Sequence, residues 1–254
     1  MKIKNILISQ NPPVDFEKSP YADLKKKYNI NIDFYKFFKF ESISAAEFRK
    51  HRINILGHTA IVFSSTTTID HFFNLIKDLR IEMPIEMKYY CITDTVAHYL
   101  QKYITYRKRK IFHAKNNNPS TVFDLLLKNK EHNYLIPCGS DSFGTQFAEF
   151  FDKHAIKYTK AVVFNTVSCN IKNDVNISKY DMIVFFSPAG VQALKNNFDE
   201  FKQGDIAFVA MGPAAVAAVE AEGWTLHVIA PTKEAPSITI ALDIFLKNHA
   251  TRRR

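Results

Sequence analysis

No stretch of this 254-residue chain approaches the roughly 20 consecutive apolar residues that cross a membrane. The opening MKIKNILISQNPP holds one short apolar run before polar residues and prolines, too brief for the core of a secretory leader. Cysteine is scarce. Cys91, Cys138 and Cys169 are odd in number and without CxxC spacing, which argues against a disulfide framework and a zinc site. They read as reduced thiols that pack as small apolar groups. No GxGxxG occurs, nor GxxxxGK followed by Ser or Thr, so the usual nucleotide-phosphate loops are missing. The nine histidines are scattered without HExxH or other paired spacing, and no GxSxG elbow is present. These absences lead us to expect a cytoplasmic protein with no membrane segment, no metal site and no nucleotide-phosphate loop.

What is present is a chain with a core and a charge. Apolar residues make up 46% of the sequence, which excludes a disordered chain. The formal charge of +9 favours anionic ligands, or it only keeps a lysine-rich surface soluble. The densest basic run is Tyr106-Arg107-Lys108-Arg109-Lys110. A nucleic-acid patch and a solvated edge before a short strand are the two readings, and the solvated edge is preferred. Arg252-Arg253-Arg254 reads as a frayed terminus.

Short apolar runs alternate with amphipathic stretches, the pattern of an α/β protein with mostly parallel sheets. The spacing predicts strands near 3–9, 31–40, 59–64, 88–92, 109–112, 133–137, 158–168, 180–186, 206–211 and 226–229. Helices are predicted near 19–28, 44–51, 67–79, 94–104, 120–129, 144–154, 188–196, 213–222 and 236–247. Ser19-Pro20 resembles an N-cap with proline at the first helical position, and Pro236 less strongly so. Gly223 is a natural helix stop.

One device occurs twice. IVFSSTTTIDHF begins at Ile61 and IVFFSPAGVQAL at Ile183, each an apolar run, a hydroxyl residue and then helical spacing. NILIS with YADLKKKYNINIDFYKFF likewise matches NYLIP with FAEFFDKHAIKYTKAVVF. The chain therefore reads as two copies of one α/β module, and the repeat alone suggests tandem domains breaking near Lys130. The long segments Ile32–Phe40 and Tyr158–Ser168 exceed the usual strand length, which suggests a bridge between domains.

Ligands of open α/β sheets bind beyond the carboxyl ends of strands, where helix N-termini offer unpaired N–H groups to anions. This chain places small residues there: Ser64-Ser65-Thr66-Thr67-Thr68, Thr93-Asp94-Thr95, Cys138-Gly139-Ser140, Ser187-Pro188-Ala189-Gly190 and Gly212-Pro213-Ala214-Ala215. Ordinary N-capping explains any one of them. Five in one chain point to a site that holds carboxylates or phosphates.

The segments FRKHRINILGHTAIVFSSTTTIDHFF (48–73), YYCITDTVAHYLQKYITYRKRKIF (89–112), DMIVFFSPAGVQALKNNF (181–198), MGPAAVAAVEAEG (211–223) and APTKEAPSITIAL (230–242) together carry a resemblance. Their order and spacing over nearly the whole chain resemble the uroporphyrinogen-III synthase family. The resemblance implies two similar α/β domains, each a parallel sheet flanked by helices, joined by a two-stranded ladder with a cleft between them. It implies a discontinuous first domain of residues 1–36 plus 170–254, a second domain of 41–160, and ladder strands at 32–40 and 158–168. That replaces the tandem split. The activity it implies is a cyclising lyase of porphyrin and heme biosynthesis, closing the linear tetrapyrrole hydroxymethylbilane with inversion of ring D and loss of water. A polycarboxylate of that kind suits a basic protein. The resemblance implies no cofactor and neither nucleic acid nor membrane as partner. With nothing to suggest an obligate partner, a monomer is expected. The other readings are a polyanion-binding protein of the same fold with impaired catalysis, and an unrelated α/β protein binding nucleic acid through Tyr106–Lys110.

Carried over by position, the resemblance implies substrate contacts at Ser64, Ser65, Thr66, Thr95, Val96, Gly139, Ser140, Ser187, Ala189, Gly190, Ala214 and Ala215. Two positions depart from it. The family's common tyrosine, thought to help the hydroxyl leave, falls at Phe164, and a frequent Gly-Pro-Thr-Thr is Gly212-Pro213-Ala214-Ala215. Phe164 has no proton to give. Thr166, Tyr158 or Tyr99 could take that role, and the sequence does not choose between them.

Overall fold

The computed structural model describes residues 2–105, 109–114, 120–140 and 145–251. The chain divides into two compact units, Met1–Lys39 with Val167–Arg254, and Phe40–Thr166. The repeat alone puts a break near Lys130, but that position lies inside the second unit.

The first unit holds a sheet of five strands: β1 (Asn5–Ile8), β2 (Asn31–Phe34), β9 (Met182–Phe185), β10 (Ala207–Met211) and β11 (Leu226–Ala230). Their order is β11-β10-β9-β1-β2, and every pair is parallel. Side chains alternate across the sheet. Ile6, Ile8, Met182 and Val184 face a core covered by α1 (Pro20–Tyr28) and α9 (Ile238–Thr251). Leu7, Ile183, Phe185 and Phe208 face the opposite core, beneath α7 (Pro188–Asn197) and α8 (Pro213–Ala221).

The second unit is built around β4 (Ala60–Phe63), β5 (Lys88–Cys91), β6 (Ile111–His113), β7 (Tyr134–Gly139) and β8 (Tyr158–Ser168), with β3 (Phe38–Ser42) at its edge. The order is β3-β8-β7-β4-β5-β6. Ile61, Phe63, Tyr89, Cys91 and Leu135 face one core with α2 (Ala45–Lys50), α3 (Thr66–Asp78) and α4 (Asp94–Leu100). Ala60, Val62, Tyr90, Tyr134 and Ile136 face the other, with α5 (Ser120–Leu127) and α6 (Thr145–Lys153).

The two strand orders are one plan. Reading β4, β5, β6, β7, β8 as counterparts of β9, β10, β11, β1, β2 makes each sheet the mirror listing of the other. The repeat is therefore real, but β4–β6 pack with β7 and β8, not with β1 and β2.

Three local expectations change. The run 31–40 is two strands, because after Tyr35 donates to the Ile8 carbonyl (3.0 Å) the chain turns to bury Phe37 completely. Ser19 precedes α1 without capping it; its hydroxyl donates to the Phe16 carbonyl at 2.6 Å, and Pro20 supplies the start. Pro236 lies two residues before α9, whose first turn is held by Ser237 Oγ accepting from Ile240 N–H at 3.3 Å. Gly223, at φ 71°, follows α8 as a left-handed stop.

Candidate active site

Each sheet has one place where neighbouring strands lead away in opposite directions, the position at which open α/β sheets bind ligands. In the first unit it lies between β1 and β9, and in the second between β7 and β4. Ser187, Ala189 and Gly190 follow β9; Ser64, Ser65 and Thr66 follow β4; Gly139 and Ser140 close β7. Thr95 and Val96, and Ala214 and Ala215, lie one strand further out, after β5 and β10.

These turns differ in how many donors they leave open. Ser65 caps α3, accepting from Thr68 N–H at 3.1 Å while its hydroxyl meets that of Thr68 at 2.8 Å. Ser187 caps α7 from the same backbone shape, accepting from Gly190 N–H at 3.4 Å. Thr93 caps α4 through Val96 N–H, so that amide is occupied and the Val96 side chain sits in the core; Thr95 is exposed. Gly212, at φ 89°, begins α8 with no side-chain cap, leaving the Ala214 and Ala215 N–H groups unpaired among the described residues. Ser140 N–H donates to the Phe164 carbonyl at 2.9 Å.

The sequence reading missed Ser9. It follows β1 beside Gly190, is 3% exposed, and its Oγ has no hydrogen-bond partner among the described residues. A Cβ on Gly190 would stand 3.4 Å from that oxygen, so glycine leaves room at the helix entrance. Nothing in NILIS marks the residue; only its neighbour across the sheet does.

Phe164 is buried, with its ring over Gly139. Phe40 meets it edge-on at 5.0 Å, and His71 of α3 lies against it at 4.8 Å, tilted 36°. His71 Nδ1 is 2.7 Å from Ser42 Oγ at the end of β3. Burial lowers the His71 pKa, opposed by the neighbouring Asp70 carboxylate. Burial alone would raise the Asp70 carboxyl, but hydrogen bonds from Tyr103 and Tyr99 and the Lys102 charge outweigh it, and its pKa is lowered.

The three hydroxyls that could replace a tyrosine at position 164 separate clearly. Tyr99 donates a hydrogen bond to Asp70, at 2.9 and 2.8 Å from the two oxygens. Tyr158 pairs with Tyr134 at the far end of β7 and donates to Asp152 at 3.0 Å. Thr166 is two residues beyond Phe164 on the same face of β8.

A groove of about 510 Å³ lined by Phe73, Met83, Tyr89 and Lys110 lies at the opposite, N-terminal ends of β5 and β6, away from these turns. Lys110 of the basic run pairs with Glu86. Tyr106, Arg107 and Lys108 lie outside the described residues, as do Arg252, Arg253 and Arg254. Burial pushes the Cys91 thiol up to about 12, as expected of an inert core cysteine. Among the described residues no cluster could hold a metal ion, and no helix is long and apolar enough to cross a membrane.

No curated protein matches the sequence. Solved structures share the fold, among them two that align over nearly the whole chain. The uroporphyrinogen-III synthetase of Helicobacter pylori aligns with TM-score 0.59 and 13% identity over 97% of this chain and 100% of its own. A mutant uroporphyrinogen III synthase from the extreme thermophile Thermus thermophilus aligns with TM-score 0.55 and 9% identity over 99% and 100%. The family model for uroporphyrinogen-III synthase HemD matches residues 21–239, a span reaching from α1 into α9. By that match the chain belongs to the uroporphyrinogen-III synthase family, the cyclising lyases of tetrapyrrole biosynthesis.

Proposed function

We propose that the chain binds hydroxymethylbilane at its strand-end turns and closes it to uroporphyrinogen III. The observation that carries this reading is the placement of small residues and helix N-termini at the switch points of both sheets. Carboxylates on acetate and propionate arms suit such turns, because first-turn N–H groups and the helix dipole attract anions. Unpaired among the described residues are the Ala214 amide, on an exposed residue, and the buried Ala215 amide and Ser9 hydroxyl. Ser187 adds a hydroxyl in the first unit, and Ser64, Ser65, Thr66, Thr95 and Ser140 add hydroxyls in the second.

The chemistry asks little beyond position and charge. Water leaves the terminal hydroxymethyl group, ring D attacks through its substituted carbon, and the spiro intermediate reopens and closes with that ring inverted. Holding the two chain ends in one orientation selects this path over direct closure. Fixed N–H dipoles stabilise charge where it develops. We further propose that the protein works as a monomer in the cytoplasm, which its cysteine chemistry and charge suit.

The test is direct. Purified protein given fresh hydroxymethylbilane should yield mainly the III isomer, whereas buffer alone yields the I isomer. Equal product ratios with and without protein would reject the function.

A further inference from the structure

We infer that His71 donates the proton that lets water leave hydroxymethylbilane, an assignment that rests on the reaction proposed above. The second unit's strand ends offer few acids. Ser64, Ser65, Thr66, Thr95 and Ser140 are hydroxyls that do not titrate near neutrality, and Phe164 has no proton to give. Tyr99 is committed to Asp70. His71 remains. Counted along α3 it sits five residues past Thr66, about 8 Å of rise from the helix start.

The imidazole is held and left open at once. Ser42 Oγ fixes Nδ1 at 2.7 Å, and the Phe164 ring fixes the plane at 4.8 Å. Nε2 has no hydrogen-bond partner among the described residues, and the side chain is half-buried. The charge that acts on the ring is that of Asp70, itself bound by Tyr99, Tyr103 and Lys102. From β3 comes the neutral Ser42, and Glu41 alternates to the other face of that strand. Phe40, Phe164 and Gly139 bring no charge. The first unit has no equivalent group: where the two copies of the repeat align, Gln192 and the fully buried Ala193 stand for Asp70 and His71.

The step balances without any other reagent. Imidazolium Nε2–H gives its proton to the hydroxymethyl oxygen, the C–O bond breaks with the pyrrole lone pair, and water departs from the resulting azafulvenium. Ring D then attacks and migrates. On the final ring closure the pyrrole carbon loses its proton, which returns to neutral His71 and restores aromaticity. Ser42 is a positioning residue that holds the ring through Nδ1.

The experiment measures kcat and KM from pH 5.5 to 8.5 for wild type and His71→Gln, resolving isomers and subtracting spontaneous closure. His71→Gln should lose kcat on the order of 100-fold with KM changed by roughly threefold or less. Wild-type kcat/KM should fall above a pKa no higher than about 6.5 for the free protein. Bound carboxylates should move the corresponding limb of kcat upward. Added imidazole should restore part of the activity of His71→Ala. A folded His71→Gln with wild-type kcat overturns the role, as does a wild-type profile flat across this range. Should His71→Gln fail to fold, the wild-type profile and the imidazole response decide. A wild type yielding only the uninverted isomer overturns the underlying function instead, which separates the two failures.

Discussion

Ser65 and Ser187 stand at equivalent junctions in the two units and adopt the same backbone, φ −159° and ψ 162° against φ −158° and ψ 159°. What surrounds them is different. Three residues on, the second unit has Thr68, which is 1% exposed and returns a hydroxyl contact to the cap. The first has Gly190, which makes room for the buried Ser9 hydroxyl. Further along the same helices, the second unit carries Asp70 and His71 where the first carries Gln192 and Ala193. A shared scaffold thus supplies serine-capped helix starts in both copies, while these two helix positions carry titratable side chains in only one.

Glycine substitutions should separate the units most sharply. A Cβ at Gly139 would lie 2.5 Å from the Phe164 ring, so Gly139→Ala must displace a buried aromatic. We expect a loss of about 1–3 kcal/mol in chemical denaturation. Gly190→Ala meets Ser9 Oγ only at 3.4 Å and should change stability by no more than about 0.5 kcal/mol. Equal losses at both positions would contradict the contrast.

Cap removal should give a smaller difference in the same direction. Ser65→Ala gives up both the bond to Thr68 N–H and the partner of the buried Thr68 hydroxyl, costing about 1 kcal/mol. Ser187→Ala should cost less, since its bond to Gly190 N–H is longer and Pro188 already sets the first helical φ. Thermal midpoints of the two variants measure this.

The smallest effect is that of pH. His71 and His132 both have lowered pKa values, in each case first through burial, with Lys88 adding to the effect at His132. Unfolded, these side chains bind protons from about pH 6.5 downward, before the folded protein does. Their contribution to stability is therefore present above that pH and is lost as pH falls toward the folded values. Unfolding midpoints should drop between pH 7.5 and 5.5, and less so in His71→Gln.

Much of this was legible in the sequence. Strands with period-two alternation and helices starting at hydroxyl residues are local patterns, and the repeated IVF device exposed the doubling. Which strands share a sheet was not legible from the residues, since an apolar run such as AIVF fits either sheet equally well. Only the family resemblance pointed away from tandem domains. The break between β2 and β3 is hidden because FYKFFKF keeps one aromatic and lysine pattern throughout, with no Gly or Pro where Phe37 turns inward. Ser9 reads as the end of a strand until Gly190 is placed beside it. In TTTIDHFF, His71 reads as a polar helix position until Phe164 and Ser42 close around it.

The most direct test of the central claim, that the strand-end turns receive the carboxylates, is backbone amide NMR of the protein titrated with uroporphyrinogen III. The account predicts shifts concentrated at Ser9, residues 64–66, Gly190, Ala214 and Ala215. Saturating binding that leaves those amides unmoved, with shifts confined to the groove around Met83 and Lys110, would contradict it.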